Sequence, residues 1–353
     1  MKKIIVISTS KAIHPANIGG TESIIRRIKY SYKQDVNIIF YLIGYGESNE
    51  NVKYFPNIKA LTNSLRSKQN KLNVIKMYLT FSQRLYLCLF RLSNRKINWF
   101  LLLTSWSNSF YSKLKLIFDY VLFPYNNGLI VISKRQSQFF NKIGFKNLLI
   151  NPNIPENYNY NEDKLKDIDF LFLGRIDYTK GIDLTIDFFN YLKINHGINT
   201  YIIGIRFPDD LRAEKIHYEL LNQNLINYIP VERSNYSKSV ENKTIDYLQR
   251  AKYFVQPYKN IYGTVDTPIL ILEAMAANCV VISSNDSNVV DIYGESQSLI
   301  QNIPGSLEQL KSLTKLFLDQ SWYENELNRV KKSYAKYLNQ SNLSLNNLKD
   351  KLS

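Results

Sequence analysis

Cysteine is nearly absent from this sequence of 353 residues: it has only Cys88 and Cys279, 191 positions apart. This excludes a disulfide scaffold and a cysteine-rich metal site, and it fits a reducing compartment. Long apolar runs are also missing. No stretch reaches about 18 apolar residues without a charge, so we expect no membrane-spanning helix. The first ten residues hold too short an apolar run for a signal peptide. A cytoplasmic protein is therefore predicted.

Acidic residues are scarce in the first part of the chain. Residues 1–157 contain 23 Lys and Arg against 6 Asp and Glu, whereas the remaining residues contain 22 and 24. Between Glu50 and Asp119 there is no carboxylate, although twelve Lys or Arg occur there. Charge asymmetry of this size concerns the partners of a protein and not its fold. We therefore expect the first half to bind something anionic.

Apolar residues make up 45% of the chain, which excludes wholesale disorder, and the length is typical of two domains. Short buried strands alternate with amphipathic helices in two blocks, which predicts two α/β domains with parallel sheets. We expect an N-terminal domain over 1–157, a linker over 158–168 and a C-terminal domain over 169–330. A helical, charged tail over 331–353 follows. The strands are expected at 3–8, 37–42, 100–103, 128–133, 169–173, 200–203, 253–256 and 279–283.

The segment from Thr267 to Asn278 predicts a helix that opens toward a ligand. Thr267 suits the N-cap, Pro268 suits the first helical position, and Asn278 tolerates the left-handed conformation that follows a helix. The free amides near the start, from Ile269 and Leu270, could bind an anion. Glu273 lies within an otherwise apolar helix, so its carboxylate either serves a ligand or is simply exposed.

Two loops after predicted strands carry further candidates. Arg175 and Lys180 follow a buried strand and flank a turn, so both could reach over the carboxyl edge of the sheet, where open α/β sheets bind ligands. An Arg fork and a Lys point charge suit a diphosphate, although an ordinary surface turn is an equal alternative. Gly19 and Gly20, after the first strand, could let the backbone approach a ligand closely.

Taken together and in order, these segments resemble the retaining family 4 glycosyltransferases of the GT-B fold, over nearly the whole chain. That fold has two Rossmann-like domains whose parallel sheets face each other across a cleft. The matching segments are Gly19-Gly20-x-Glu22, Val131-Ile-Ser133 through Ile150-Asn-Pro152-Asn153, Gly174-Arg175 with Lys180-Gly181, Glu273-Ala-Met-Ala and Val281-Ile-Ser283.

The resemblance implies a role for each of these residues in binding a nucleotide sugar. Arg175 and Lys180 would neutralise its diphosphate, and Glu273 would hydrogen-bond its ribose. Gly19 and Gly20 would admit the phosphate and the transferred sugar. No cofactor or metal is expected, because Arg, Lys and a helix terminus supply the positive charge, and Asp167-Ile-Asp169 is interpreted as structural.

The sequence departs from the family pattern at two positions. The first donor-site carboxylate of the family lies eight residues before the second, where this chain has Val265. The nearest acid is Asp266, which would need a one-residue adjustment of the loop to act on the sugar. The histidine that the family often has in its N-terminal domain also has no match. His14 lies next to the glycine loop and not at the family position, and Thr104 or Ser105 is the candidate replacement.

The basic excess of the first half predicts contact with a membrane. Asn73–Arg95 is rich in Leu, Tyr and Phe, and its four cations, Lys76, Arg84, Arg91 and Arg95, would fall within a sector of about 100° on a helix. Such a helix is typical of a membrane-surface element, and a buried helix with a solvated basic stripe is the alternative. Each Lys or Arg near an anionic bilayer contributes about 1 kcal/mol.

The sequence therefore predicts an enzyme that moves a hexose-type unit from a nucleotide sugar to a glycan acceptor. We expect the acceptor to be lipid-linked and the enzyme to be peripheral on the inner membrane face, in cell-surface polysaccharide synthesis. One alternative is a degenerate GT-B fold that only binds ligands, and another is a basic nucleic-acid-binding protein. No nucleic-acid partner is expected, since no helix-turn-helix, RNA-binding or zinc pattern occurs.

Overall fold

The structure of the protein, a computed structural model, forms two compact units. It describes residues 4–10, 24, 27, 38–67, 72–77, 79–92, 94, 96–103, 128–152, 154–207, 210–232, 238–259, 267–301 and 306–352. The first unit consists of Met1–Asn153 with Gln340–Ser353, and the second consists of Ile154–Asn339.

The first unit contains a parallel sheet of seven strands in the order β3-β2-β1-β4-β5-β6-β7. Its strands are β1 (Ile4–Thr9), β2 (Ile38–Ile43), β3 (Val52–Phe55), β4 (Leu72–Lys76), β5 (Ile97–Leu103), β6 (Leu129–Val131) and β7 (Asn147–Leu149). Its described helices are α1 (Ile58–Arg66), α2 (Phe81–Leu92) and α3 (Lys134–Lys142).

The second unit contains a parallel sheet of six strands in the order β10-β9-β8-β11-β12-β13. Its strands are β8 (Ile168–Arg175), β9 (Thr200–Arg206), β10 (Asn227–Glu232), β11 (Ala251–Gln256), β12 (Val280–Ser284) and β13 (Leu299–Ile300). Its helices are α4 (Ile182–His196), α5 (Leu211–Leu221), α6 (Lys238–Arg250), α7 (Ile269–Ala276), α8 (Ser287–Tyr293), α9 (Ser306–Ser312), α10 (Thr314–Phe317) and α11 (Gln320–Leu352). The prediction of two parallel-sheet α/β domains is confirmed.

The central strands are buried on both faces, which is why they are continuous runs of apolar residues. All of β1 except Thr9 is buried, and so are all of β2 and β12. In the second unit Phe170 of β8 stacks on Tyr253 of β11, with 4.7 Å between ring centroids. Each sheet thus has a largely apolar centre.

The prediction of one helix over 73–95 is wrong. Residues 72–76 form β4, which pairs with β1 and β5 in the middle of the sheet, and only Phe81–Leu92 is helical. Lys76 is only 6% exposed, and its ammonium lies 5.3 Å from the centroid of the Trp99 ring. Lys76 therefore lies inside the unit and not on a membrane-facing helix surface.

The other three cations of that predicted stripe do not share a helix with Lys76, because Lys76 lies in a strand. Arg84 lies on α2, where its Nε donates to the carbonyl of Leu79 at 3.1 Å. Arg91 is also on α2, but its side chain lies outside the described residues, as does all of Arg95. Within the described part of the chain, no helix is both long and apolar enough to cross a membrane.

The segment predicted as a linker packs onto the second unit. The amide of Tyr160 donates to the carbonyl of Ala276 at 2.9 Å. The ammonium of Lys166 donates to the carbonyls of Ala251 and Ala277, each at 2.7 Å. Burial lowers the pKa of Lys166. These bonds fasten the segment to the amino end of β11 and to the carboxyl end of α7.

The predicted C-terminal helix is α11. Its first part, to Asn339, belongs to the second unit, and its last turns belong to the first. In the first unit the hydroxyl of Ser341 donates to the carbonyl of Asn151 at 2.6 Å.

Candidate active site

The strand order of the second sheet predicts where a ligand binds. The first strand of this unit, β8, lies between β9 and β11, so the chain leaves β8 toward one side and crosses β8 to reach β11. Open parallel sheets bind ligands in the crevice outside the carboxyl ends of the strands at such a reversal. The carboxyl ends here are Arg175 of β8 and Gln256 of β11.

The turn after β8 holds both predicted diphosphate cations. Asp177 caps a short 3₁₀ turn over Tyr178–Lys180, accepting from the amide and the hydroxyl of Thr179, each at 2.8 Å. The other carboxylate oxygen of Asp177 forms an ion pair with Arg175. The turn is therefore ordered by its own side chains, and it carries a guanidinium at one end and an ammonium at the other.

This turn lies against the loop that follows β11. Gly181 has a φ of +72°, and a Cβ at this position would overlap the carbonyl oxygen of Pro257. The amide of Lys259 donates to the carbonyl of Thr179 at 3.1 Å. The ammonium of Lys180 lies 4.8 Å from the centroid of the Tyr258 ring. The two loops thus meet at the reversal point, and only glycine at 181 allows the contact.

The charges at this turn are coupled. Burial lowers the pKa of Lys180 to about 7, and the nearby Arg175 guanidinium acts in the same direction while Asp177 opposes it. Burial acts to raise the pKa of Asp177, but the hydrogen bonds from Thr179 and the two cations outweigh it, so that pKa is lowered. Arg175 also lies over the ring of Phe207, 5.1 Å from its centroid. The site therefore holds two cations beside one carboxylate, and a further anion would stabilise it.

Helix α7 begins beside the end of β8. A Cβ built on Gly174 would lie 3.5 Å from Cδ1 of Leu270 and 3.0 Å from Nε2 of Gln256. The amides of Ile269 and Leu270 precede the first backbone bond of the helix, which Ile271 donates to Pro268 at 3.1 Å. The helix start, with its partial positive charge, is thus close to the strand that carries Arg175.

The helix differs in one detail from the prediction. Pro268 is the N-cap, without a side-chain cap bond, so the helix begins one residue later than predicted and Thr267 precedes the cap. The carbonyl of Pro268 accepts the first backbone hydrogen bonds of the helix, and this role does not require the N–H that proline lacks. The predicted end is confirmed, since Asn278 has a φ of +55°.

Glu273 is not an exposed helix residue. It is 5% exposed, on the second turn of α7, between the buried Leu272 and Ala274. A carboxylate in such a position needs polar partners, because burying an isolated charge is costly. The alternative of a solvated Glu273 is therefore wrong, and its role toward a ribose stays a prediction.

Several predicted site residues lie outside the described residues. They are Gly19 and Gly20 of the glycine loop, Asp266, and the candidates for the histidine position, His14, Thr104 and Ser105.

The interpretation of Asp167-Ile-Asp169 as structural agrees with the contacts of its carboxylates. Asp167 accepts two bonds from Arg250, at 2.8 and 2.6 Å, and Asp169 accepts one from Lys252 at 2.9 Å. Among the described residues, no group of three or more His, Cys, Asp or Glu could hold a metal ion.

Sequence reasoning missed the residues that complete the site from β11. Gln256 is fully buried, and its side-chain oxygen accepts from the hydroxyl of Tyr258 at 2.7 Å. Lys259 pairs with Asp183 and lies over the Tyr178 ring, 3.4 Å from its centroid. One signal was available: Pro257-Tyr258-Lys259 directly follows a predicted buried strand, as Gly174-Arg175 does.

Comparison with known proteins gives the family. A family model described as "Glycosyl transferases group 1" matches residues 153–336, slightly more than half of the chain. The chain belongs to this family. It is a glycosyltransferase, and every described residue of the candidate site lies within the matched segment.

Solved structures similar to this glycosyltransferase show its fold. Alr3699/HepE of Anabaena, in complex with UDP, has a TM-score of 0.75 and 12% identity, covering 99% of this chain and 100% of its own. A glycosyltransferase of Rickettsia africae has a TM-score of 0.70 and 12% identity, with 99% and 97% covered. Trehalose-6-phosphate synthase, studied for glycosyltransfer with retention, has a TM-score of 0.68 and 10% identity, with 99% of each chain covered. The predicted GT-B fold is confirmed. No curated protein matches the sequence.

Proposed function

We propose that this glycosyltransferase is a retaining family 4 enzyme that moves a hexose unit from a UDP-sugar to a glycan acceptor. The acceptor in this proposal is lipid-linked, and the pathway builds a cell-surface polysaccharide. One observation carries the proposal: Arg175, Lys180 and the start of helix α7 come together at the strand reversal of the second sheet. That arrangement suits a diphosphate, since it combines a fork, a point charge and free amides.

The chemistry of the donor explains why these groups are needed. When the bond between the anomeric carbon and the diphosphate breaks, negative charge grows on the leaving diphosphate. Fixed cations and helix amides stabilise that charge most when they are already in position before the reaction. In the ground state Arg175 and Lys180 are held by Asp177 and by the β11 loop, so little rearrangement is required.

Retention is supported by the likeness to trehalose-6-phosphate synthase, whose study concerns transfer with retention. In our proposal the acceptor oxygen bonds to the anomeric carbon on the face from which the diphosphate departs, and the proton of the acceptor hydroxyl passes to the departing phosphate oxygen. This route needs no protein nucleophile. It also needs no metal, because the positive charge that the leaving group requires comes from Arg175, Lys180 and the helix amides.

The choice of a UDP-sugar is supported by Alr3699/HepE, which was solved with UDP and with UDP-glucose. Glu273 would accept hydrogen bonds from the ribose. Gly19 and Gly20 would allow the backbone to approach the phosphate and sugar, and Asp266 would contact the sugar.

A donor screen followed by kinetics tests the proposal. Thermal shift against a panel of nucleoside diphosphates and nucleotide sugars should select uridine compounds. With the selected donor, Arg175→Ala and Lys180→Ala should each lower kcat/KM by about 10- to 150-fold, the equivalent of a charge-assisted hydrogen bond of about 1.5–3 kcal/mol. The configuration of the product at the anomeric carbon, read by NMR, should match that of the donor.

Lys215→Ala is the matched control, because Lys215 lies on α5 with its side chain 79% exposed and only a weak pair to Glu219 at 3.8 Å. It should leave kcat/KM unchanged. Near-normal kcat/KM in either site variant would remove that residue from the proposed diphosphate site. Nucleotide-sugar binding without turnover toward any acceptor would favour the degenerate binding module.

A further inference from the structure

Helix α2 of the first unit turns large apolar side chains toward water. Leu85, Tyr86 and Leu89 are 39%, 38% and 60% exposed, whereas Leu87 and Phe90 of the same helix are buried. At about 100° per residue, the three exposed side chains fall within one sector of about 100°, and the two buried ones fall in the adjoining sector. The helix is therefore apolar on the face that packs on the sheet and also on a face that does not.

The surroundings of this apolar face are cationic. Helix α1 packs beside α2, and its exposed Arg66 lies over the Phe90 ring with 5.7 Å between the guanidinium and the ring centroid. Arg84 and Arg91 are on α2 itself, and the exposed Lys96 follows it. The sequence has no carboxylate between Glu50 and Asp119, so no acid from this stretch offsets these charges.

We infer that Leu85, Tyr86 and Leu89 form a docking face for an anionic phospholipid bilayer. An interfacial helix inserts its apolar side chains among the upper acyl chains while nearby cations meet the phosphate groups. A soluble polyanion would satisfy the cations but leave the three apolar side chains in water. A bilayer surface satisfies both, and it deepens the proposal of a lipid-linked acceptor, although docking itself does not depend on the transfer reaction.

This docking face differs from the basic stripe that the sequence predicted. The stripe included Lys76, which is buried in β4, and the prediction named no particular apolar residue for insertion into the bilayer. Binding through the docking face depends on the insertion of apolar side chains, assisted by the nearby cations. High salt should therefore weaken vesicle binding, because it screens the cations. At every salt concentration, however, a variant without the two leucines should bind vesicles more weakly than the wild type.

The second unit offers a matched control. Helix α5 exposes Leu211 and Leu221 to 85% and 51%, compared with 39% and 60% for Leu85 and Leu89 of α2. The charges of that helix balance, with Glu214 and Glu219 against Arg212 and Lys215, and residues 158–353 have two more acidic than basic residues. An exposed apolar pair is thus present on both units, but only the α2 pair lies in cationic surroundings.

The experiment is vesicle co-sedimentation of the full-length chain, with vesicles of equimolar phosphatidylglycerol and phosphatidylcholine and with phosphatidylcholine alone. The wild-type chain should bind the anionic vesicles more tightly. The variant Leu85→Gln with Leu89→Gln should bind them at least about tenfold more weakly, since two partly exposed leucines no longer insert. The variant Leu211→Gln with Leu221→Gln should bind like the wild type, and Leu85→Met with Leu89→Met should retain binding because it keeps the face apolar.

Three results of the vesicle experiment would overturn the inference: no binding by the wild-type chain, equal loss in both glutamine variants, or full binding by the α2 glutamine variant. A wild-type oligomer, seen by light scattering without vesicles and dissociated by the α2 substitutions, would assign the face to a second copy instead. Thermal shift with the selected nucleotide is measured on every variant. If a variant loses vesicle binding but binds the nucleotide normally, the substitution affects the docking face alone. If the wild-type chain binds no nucleotide, the result counts against the proposed function and not against the docking face.

Discussion

The ammonium of Lys180 should make the affinity for a nucleotide sugar depend strongly on pH. Burial lowers the pKa of this lysine to about 7, compared with about 10.4 for a lysine in water. A bound diphosphate would place negative charge beside the ammonium and raise that pKa again. The complex then holds more protons than the free protein above pH 7, so donor binding takes up a proton and weakens as the pH rises.

The size of the effect follows from the fraction of Lys180 that is protonated. With a pKa of about 7, that fraction is roughly one half at pH 7, one eleventh at pH 8 and one hundredth at pH 9. If only the ammonium form binds the donor, affinity falls about fivefold from pH 7 to 8 and about tenfold from pH 8 to 9. The phosphates of a nucleotide sugar stay fully ionised throughout this range, so they add no pH dependence.

Isothermal titration calorimetry between pH 7 and 9 measures both the affinity for the donor and the number of protons taken up on binding. At pH 8, titrations in two buffers of different ionisation enthalpy should report an uptake of about 0.9 proton per bound donor. The control is Lys180→Arg, because a guanidinium stays charged across the whole range and should give an almost flat affinity. A wild-type affinity that does not change with pH, or an equal slope in Lys180→Arg, would refute the assignment of Lys180 to the diphosphate.

Two further predictions concern the glycine turn and the buried carboxylate. Gly181→Ala should destabilise the second unit by at least about 2 kcal/mol in urea unfolding, since it adds left-handed strain and a clash with Pro257. Gly197→Ala, with a φ of +67° and no atom within 4 Å of the new Cβ, should cost only about 1 kcal/mol, and equal losses would disprove the clash. Glu273→Gln should weaken UDP-sugar binding by about 1.5–3 kcal/mol, as measured by calorimetry, and reduce the preference for ribose over deoxyribose. An unchanged preference would count against a ribose contact.

The strands that were predicted from the sequence are continuous apolar runs in which most residues are buried. The apolar runs of β1, β8, β11 and β12 each indicate a strand from local sequence alone, without information on which strands lie beside it. The missed β4 has Asn73 and Lys76 within it, which a pattern of apolar residues does not place in a central strand. Asn73 accepts from the side chain of Asn98 at 2.8 Å on β5, and Lys76 lies against the Trp99 ring. These partners come from a neighbouring strand, so they are invisible to a local pattern.

The missed edge strand β10 has a different physical reason. None of its residues is buried, and Pro230 within it cannot donate a backbone hydrogen bond. An edge position tolerates both features, because one side of the strand needs no partner. Sequence patterns detect burial more readily than pairing, so an exposed strand with a proline resembles a loop.

The positions of Arg175, Lys180 and the α7 start were predictable because topology fixes them. Each directly follows a strand or opens a helix, and all parallel strands of one sheet end at the same edge. The contacts of Gln256 and Tyr258 were not predictable in this way. They depend on β11 lying next to β8, although Gly181 and Gln256 are 75 positions apart in the sequence.

Net charge and local charge point to different parts of this enzyme. The proposed anion site lies in the half of the chain with a slight acidic excess, so the overall field of that half does not account for diphosphate binding. The site uses a few cations near the end of a helix, where burial strengthens each interaction. The basic excess of the first half is spread along its sequence, and distributed charges of one sign act together on an extended partner. A dianionic donor needs the first kind of site, whereas a bilayer needs the second. We therefore attribute the charge asymmetry of the chain to the proposed docking on a bilayer and not to the proposed binding of a nucleotide sugar.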